Sequence, residues 1–194
     1  MNKTNLGIIV SSRMASSRLP GKALRKIDSE TPTILFLLNR IDKCVPTRNI
    51  VVATTTHESD DCLAEIITSS GFNVFRGDPI DLIDRYYVCS KKFNFSRIIR
   101  ITGDCPFVCT RSLKYFIESS THSFWDAIYT TKGHFPVGID YELFTLNMLE
   151  HLVGLRDLSN DEKEHLTLAF YNRKIFPVVS VKPKVEWSHK ESYT

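Results

Sequence analysis

At 194 residues the chain has the length of one ordinary domain and is too short for two full ones. With 42% hydrophobic and 24% charged residues, and only 8 Gly and 8 Pro, its composition excludes the disordered, collagen-like and coiled-coil classes. The 25 basic residues are nearly matched by 22 acidic ones, so a net charge of +3 makes no electrostatic case for a nucleic-acid partner.

Short β-branched runs alternate with longer amphipathic stretches, which predicts an α/β fold with a mostly parallel sheet and helices on both faces. In chain order, a strand is expected at residues 6–11, a helix at 33–44, a strand at 49–54 and a helix at 59–70. Ser59-Asp60-Asp61 supplies a cap and negative charge at the start of that helix, and Gly71 stands where a C-cap is wanted. A strand at 73–75, a helix at 82–93, a strand at 97–102 and a helix at 111–119 follow. Beyond about residue 105 the alternation weakens: a strand at 127–130 runs into an excursion at 131–136, then a strand at 141–145. Helices at 146–155 and 161–172 and a strand at 176–181 complete the chain. No repeat or linker divides it, so residues 1–194 read as one domain, with 131–172 as an acceptor-site lid or dimer arm.

The longest apolar runs, such as residues 34–38, fall far below the roughly 20 residues that cross a bilayer, so no membrane partner is expected. Residues 6–10 are too short for a secretory core, which points to the cytoplasm. Cysteines 44, 62, 89, 105 and 109 are odd in number and form no CxxC, so buried free thiols are expected rather than disulfides or zinc. The six histidines show no metal-binding spacing, and Tyr86, Tyr87, Tyr115 and Phe116 read as core.

The strongest local signal is the loop after the first strand, Ser11-Ser12-Arg13-Met14-Ala15-Ser16-Ser17-Arg18-Leu19-Pro20-Gly21-Lys22. Residues 1–25 carry five basic side chains and no acidic one. Arginine forks, a lysine point charge and small residues that admit backbone amides suit phosphate oxygens at the ligand edge of an open sheet. The loop is neither a Walker A loop, since Ala23 follows Gly21-Lys22, nor GxGxxG. A solvated basic loop is the plain alternative.

This segment resembles the signature loop of the sugar-activating cytidylyltransferases, the group of CMP-KDO synthetase, CMP-N-acetylneuraminate synthetase and the spore-coat polysaccharide branch. The likeness continues through Val51-Val52-Ala53-Thr54-Thr55, Phe75-Arg76-Gly77-Asp78, Asp84-Arg85-Tyr86-Tyr87 and Arg100-Ile101-Thr102-Gly103-Asp104-Cys105-Pro106. Gly138-Ile139-Asp140-Tyr141-Glu142-Leu143-Phe144 and Glu164-His165-Leu166-Thr167 match the spore-coat branch in particular.

The resemblance implies a Rossmann-like nucleotidyltransferase sandwich and transfer of CMP from CTP to a sugar-like acceptor, with pyrophosphate released, in polysaccharide or glycoconjugate synthesis. It implies Lys22 and Arg13 as the catalytic cations, with Arg13, Ser16, Ser17, Arg18 and Lys22 on the phosphates; Arg18 beside Leu-Pro has the alternative of pinning the loop. Asp104 is implied as the carboxylate for Mg²⁺. Asp78 is a nucleotide candidate, with an exposed turn as the equal alternative. Asp140, Glu142 and His165 are implied on the acceptor side, and a homodimer is implied as the assembly. Asp140 and Glu142 stand two apart on an expected strand, so their carboxylates share a face. Such a pair disfavours an acceptor with its own carboxylate and favours hydroxyl- or amine-rich ones; a solvated sheet face is the alternative.

The family's late strand, which carries a second metal Asp, has no match up to Trp187-Ser188-His189. The expectations are therefore that Asp140 substitutes for that ligand, or that the chain is a weakly active or non-catalytic nucleotide-binding relative. A nucleotide-sugar glycosyltransferase is a further alternative, but no Asp-x-Asp stands at a strand end.

Overall fold

A computed structural model describes residues 5–15, 19–121, 126–136 and 139–184. Among the described residues seven strands, β1 (Leu6–Ser11), β2 (Ile50–Thr55), β3 (Asn73–Gly77), β4 (Arg97–Thr102), β5 (Ile128–Thr130), β6 (Glu142–Thr145) and β7 (Val178–Ser180), form one sheet in the order β3-β2-β1-β4-β6-β5-β7. The pairs β1–β2, β1–β4, β2–β3 and β5–β7 are parallel, whereas β6 runs against both β4 and β5. All six residues of β2 are buried, as expected of a strand in a parallel sheet covered on both faces.

Among the described residues seven α-helices cover the sheet: α1 (Thr33–Ile41), α2 (Asp61–Ser69), α3 (Leu82–Lys92), α4 (Thr110–Thr121), α5 (Leu146–Val153), α6 (Asn160–Glu164) and α7 (Leu166–Arg173). Alternation along the strands divides the apolar residues between two cores. Ile8, Val10, Ile99 and Ile101 meet α1, α2 and α4 through Leu37, Leu38, Leu63, Leu113 and Phe116. On the other face Ile9, Val51, Ile98 and Phe144 meet α3, α5 and α7 through Tyr86, Met148, Leu152 and Phe170.

The expected elements all exist, with one difference of substance. The helix expected over 161–172 is two helices, because His165 leaves helical geometry at φ −116°, ψ 75°. A capping box of Ser159 and Glu162 starts α6, and Arg173 clamps Glu162 from the far end of α7. Within the stretch 131–172, expected as an acceptor-site lid or dimer arm, Leu143, Phe144, Leu149, Leu166 and Phe170 pack into the cores. The five cysteines are free, but of them only Cys89 is buried, and Cys62 is exposed. Among the described residues no helix is long and apolar enough to cross a membrane.

Candidate active site at the carboxyl ends of β1 and β4

Strands β1 and β4 lie side by side in parallel with Ser11 opposite Thr102, so both chains leave the sheet at the same level. The Gly103 amide donates to the Ser11 carbonyl at 2.8 Å. A Cβ on Gly103 would lie 2.7 Å from Ser12 Cβ and 3.0 Å from the Ser11 oxygen, so only glycine lets the two strand ends approach this closely.

The loop beyond Ser12 is anchored by a carboxylate from the neighbouring strand's exit. Asp60, 1% exposed, accepts from the Met14 amide at 2.7 Å, from Thr54 Oγ1 at 2.9 Å and from both the amide and hydroxyl of Thr55. Burial pushes the Asp60 pKa up, but the bonds from Thr55, Met14 and Thr54 outweigh it and hold the group below its ordinary value. Gly21, at φ 71°, then turns the chain, its amide bonding to the Met14 carbonyl at 3.0 Å, and a one-turn helix at Lys22–Leu24 presents Lys22.

These elements enclose a cleft of about 470 Å³ lined by Ser11, Ser12, Arg13, Lys22, Arg85, Arg100, Thr102, Gly103, Asp104, Glu164 and His165, with Pro79, Ile80 and Leu82 on one wall. Its size is that of a small-molecule site. Lys22 Nζ lies 2.8 Å from Asp104 Oδ2, and Arg13 Nη2 lies 2.9 Å from Glu164 Oε1. Asp104 is partly desolvated, which raises its pKa, yet the bonds from Lys22 and Thr102 and the lysine charge leave it net lowered. It is therefore a carboxylate at neutral pH.

Behind these mouth residues sit two further arginines. Arg85, 4% exposed, gives its Nε and Nη2 to the Asp78 carbonyl. Arg100 Nη1 lies 2.8 Å from Glu142 Oε2, and Tyr171 donates its hydroxyl to Glu142 Oε1 at 2.9 Å. Four cationic side chains thus line the cleft against the two carboxylates of Asp104 and Glu164.

Of the residues expected from the sequence, Arg13, Lys22, Asp104 and His165 come together in the cleft. Ser16, Ser17 and Arg18 lie outside the described residues. The Asp78 carboxylate is committed to the amides of Ile80 and Asp81 at 2.7 and 2.8 Å, and these bonds hold its pKa below the usual value. It shapes the turn, and Pro79 and Ile80 face the cleft instead. Asp140 and Glu142 do not form the expected pair. Asp140 precedes β6 and is exposed, whereas Glu142 lies within β6, buried, opposite Arg100 in the ladder. Neither lines the cleft.

Arg85, Arg100 and Glu164, which line the cleft, and Asp60, which anchors its loop, were not among the site residues expected from the sequence. Arg100 had a signal: it stands two residues before Thr102 in a strand, so it shares the face that reaches the cleft. No group of three His, Cys, Asp or Glu side chains able to hold a metal occurs among the described residues. Magnesium needs none, since it is held by one or two carboxylates together with phosphate oxygens and water, and Asp104 supplies an ionised hard ligand in a cleft rich in phosphate-binding cations.

Comparison with known proteins places this arrangement. The sequence matches the cytidylyltransferase family over residues 7–194. It is 34% identical over 168 residues to the spore coat polysaccharide biosynthesis protein SpsF of Bacillus subtilis, covering 84% of this chain and 69% of that protein. The fold superposes on a cytidylyltransferase from Leptospira borgpetersenii with a TM-score of 0.86 and 32% identity, covering 94% of this chain and 77% of that one. It also matches the fold of a CMP:2-keto-3-deoxy-manno-octonic acid synthetase complexed with CTP, at a TM-score of 0.70 and 17% identity, covering 92% and 90% of the two chains. With its family match spanning nearly the whole sequence, the chain belongs to the cytidylyltransferases.

Proposed function

We propose that the protein transfers CMP from CTP to a sugar or sugar-like acceptor and releases pyrophosphate. The observation that carries this reading is the pairing of Lys22 with Asp104 across a cleft at the carboxyl ends of two adjacent parallel strands. A phosphate-binding cation and a hard metal ligand within one hydrogen bond of each other suit a reaction at phosphorus.

In this reading Arg13 and Lys22 bind the triphosphate, Lys22 nearest the α-phosphate. The acceptor oxygen forms its bond to the α-phosphorus as the bond to the bridging oxygen breaks, and charge grows on the departing pyrophosphate. Arg13 and Lys22 oppose that charge from fixed positions, so the gain is realised in the transition state. Asp104 would hold Mg²⁺; when bound, the ion would neutralise phosphate charge. Glu164 releases Arg13 to the nucleotide, and His165 beside it contacts the acceptor.

The likeness to the spore coat protein supports a role in building a surface polysaccharide or glycoconjugate. A homodimer fits the exposed Ile175, Val178 and Val179 around β7, and light scattering at micromolar concentration tests it: a monomer mass alone would exclude it. The transfer itself is tested by pyrophosphate release from CTP, UTP, ATP and GTP with Mg²⁺ and a panel of sugars, sugar acids and amino sugars. Release that requires both CTP and an acceptor supports the reading. Release from no nucleotide with any acceptor refutes it.

A further inference from the structure

Cys44 and Cys109 are far apart in the sequence and come together beside the sheet, away from the cleft, which neither lines. Cys44 stands in the turn that follows α1, and Cys109 stands immediately before α4. The Cys44 thiol reaches the carbonyl of Thr110, the residue after Cys109, at 3.6 Å. Arg40, in the last turn of α1, gives its Nε to the carbonyl of Val108, the residue before Cys109, at 2.7 Å. The end of α1 is therefore tied to the chain on both sides of Cys109. Both thiols are half-buried against the same apolar core, and both sit outside regular elements, where the backbone has room to adjust.

Packing alone would make them two small apolar fillers, but the surroundings of Cys109 favour a thiolate. Its carbonyl accepts from the Leu113 amide and the Ser112 hydroxyl, each at 2.9 Å, so it occupies the N-cap of α4, where unpaired amides and the positive end of the helix favour negative charge. Burial pushes the Cys109 thiol up, yet bonds from Ser112 and from the Arg111 amide, with the charge of Arg40, outweigh it and leave the pKa below the ordinary value. At Cys44 burial prevails over the charges of Lys114 and Arg40, so that thiol is raised and stays protonated at neutral pH. An activated thiol next to a protonated one is the arrangement of an attacking and a resolving cysteine.

We propose that Cys109 and Cys44 are a thiol pair that a low-molecular-weight disulfide converts into an intramolecular disulfide, fastening α1 to the start of α4. The Cys109 thiolate attacks one sulfur of the small disulfide, whose sulfur–sulfur bond breaks, and its other half departs as a thiolate. Cys44 then gives its proton to water and attacks the Cys109 sulfur, and the second half departs in the same way. Two protein thiols are oxidised and one small disulfide is reduced to two thiols. None of these steps involves the nucleotide or the acceptor. Since α1 follows the loop that carries Lys22, and α4 follows the segment that carries Asp104, the bond would fix the two segments behind the mouth of the cleft.

The test is incubation of the folded chain with oxidised glutathione, alkylation of the remaining thiols, and mass spectrometry of the unreduced digest. We expect the five free thiols to fall to three, with Cys44 and Cys109 in one linked peptide pair, and dithiothreitol to restore all five. The melting temperature of the linked form should rise by about 5 °C or more, because the bond closes a long loop and restricts the unfolded chain. In Cys44→Ser the reaction should stop with glutathione held on Cys109. In Cys109→Ser, where serine keeps the helix cap, Cys44 should take up glutathione at least about tenfold more slowly.

Cys44 and Cys109 both remaining free in the folded protein would overturn the proposal. Linkage of either to Cys62, Cys89 or Cys105 as the main product, or linkage between two copies of the chain, would do the same. So would glutathione left on Cys109 of the unaltered protein beside a free Cys44, or equal rates in the two single variants. A linked form that melts below the reduced one would show that the native fold does not hold the two sulfurs within bonding reach, and it too would overturn the proposal. If either variant does not fold, the peptide map of the unaltered protein decides.

Discussion

Lys22 Nζ and Asp104 Oδ2, 2.8 Å apart, join the loop after β1 to the end of β4 across the mouth of the cleft. The two side chains are a third and nearly half exposed, so the pair adds little to stability, on the order of 1 kcal/mol or less. Lys22→Ala should therefore shift the melting temperature only slightly in the absence of ligand. It should abolish most of the rise that CTP with Mg²⁺ produces in the unaltered protein, since a ligand that binds only the native state stabilises it by mass action. Thermal denaturation with and without nucleotide measures both. An undiminished CTP-dependent rise in the variant would separate Lys22 from the nucleotide site.

Asp60 is expected to govern both the fold and the loop. Replacing it with Ala strands the Met14 amide and the Thr54 and Thr55 hydroxyls in a buried setting, which costs about 3 kcal/mol. Urea denaturation should show that loss, together with weaker CTP binding. The pH dependence follows from the lowered pKa of this carboxylate: its contribution is complete above the unfolded value near 3.8 and is lost as pH falls through the lower folded value. Asp60→Asn should flatten the stability profile below about pH 4.

Gly103→Ala places a methyl group 2.7 Å from Ser12 Cβ and 3.0 Å from a backbone oxygen, and the backbone contact cannot yield cheaply. The loop must shift, at a cost of about 1–3 kcal/mol. The effect on function should exceed the effect on stability, because Arg13 and Lys22 move with the loop. A fall in CTP affinity of about tenfold or more, measured calorimetrically at a temperature where the variant is fully folded, is the expected outcome.

Glu162 connects the α6–α7 corner to its own titration. Bonds from Arg173 and from Ser159 hold its pKa down to about 2, against an ordinary 4.5. Because the folded value is the lower one, the stabilisation is complete above about pH 4.5 and fades as pH falls toward 2. Glu162→Gln should lose that acid-side slope, and limited proteolysis at neutral pH should then cut near residues 157–165. An unchanged acid-denaturation profile would show that the Arg173 clamp contributes nothing.

How far these features were legible in the sequence follows from how local they are. The bounds of β1 and β4 were readable because β-branched alternation is a property of six consecutive residues, and both match their expected limits. The break at His165 was not: a capping box at Ser159 and Glu162 marks where a helix starts, while the φ, ψ that end α6 at His165 have no signature in the neighbouring residues. Lys22 and Asp104 were individually visible through their motifs. Arg100 and Glu142 lie 42 positions apart, and the antiparallel register of β4 with β6 that brings them together has no local signature. A carboxylate that looked available at Glu142 is already bound by Arg100 and Tyr171.

The most direct test of the central claim is pyrophosphate release from CTP with Mg²⁺ and an acceptor that supports turnover, compared between the unaltered protein, Lys22→Ala and Asp104→Asn. The account predicts acceptor-dependent release by the unaltered protein and a loss of about a hundredfold or more in each variant, since each removes a charge that the transition state uses. Turnover by either variant within a few-fold of the unaltered protein would contradict it.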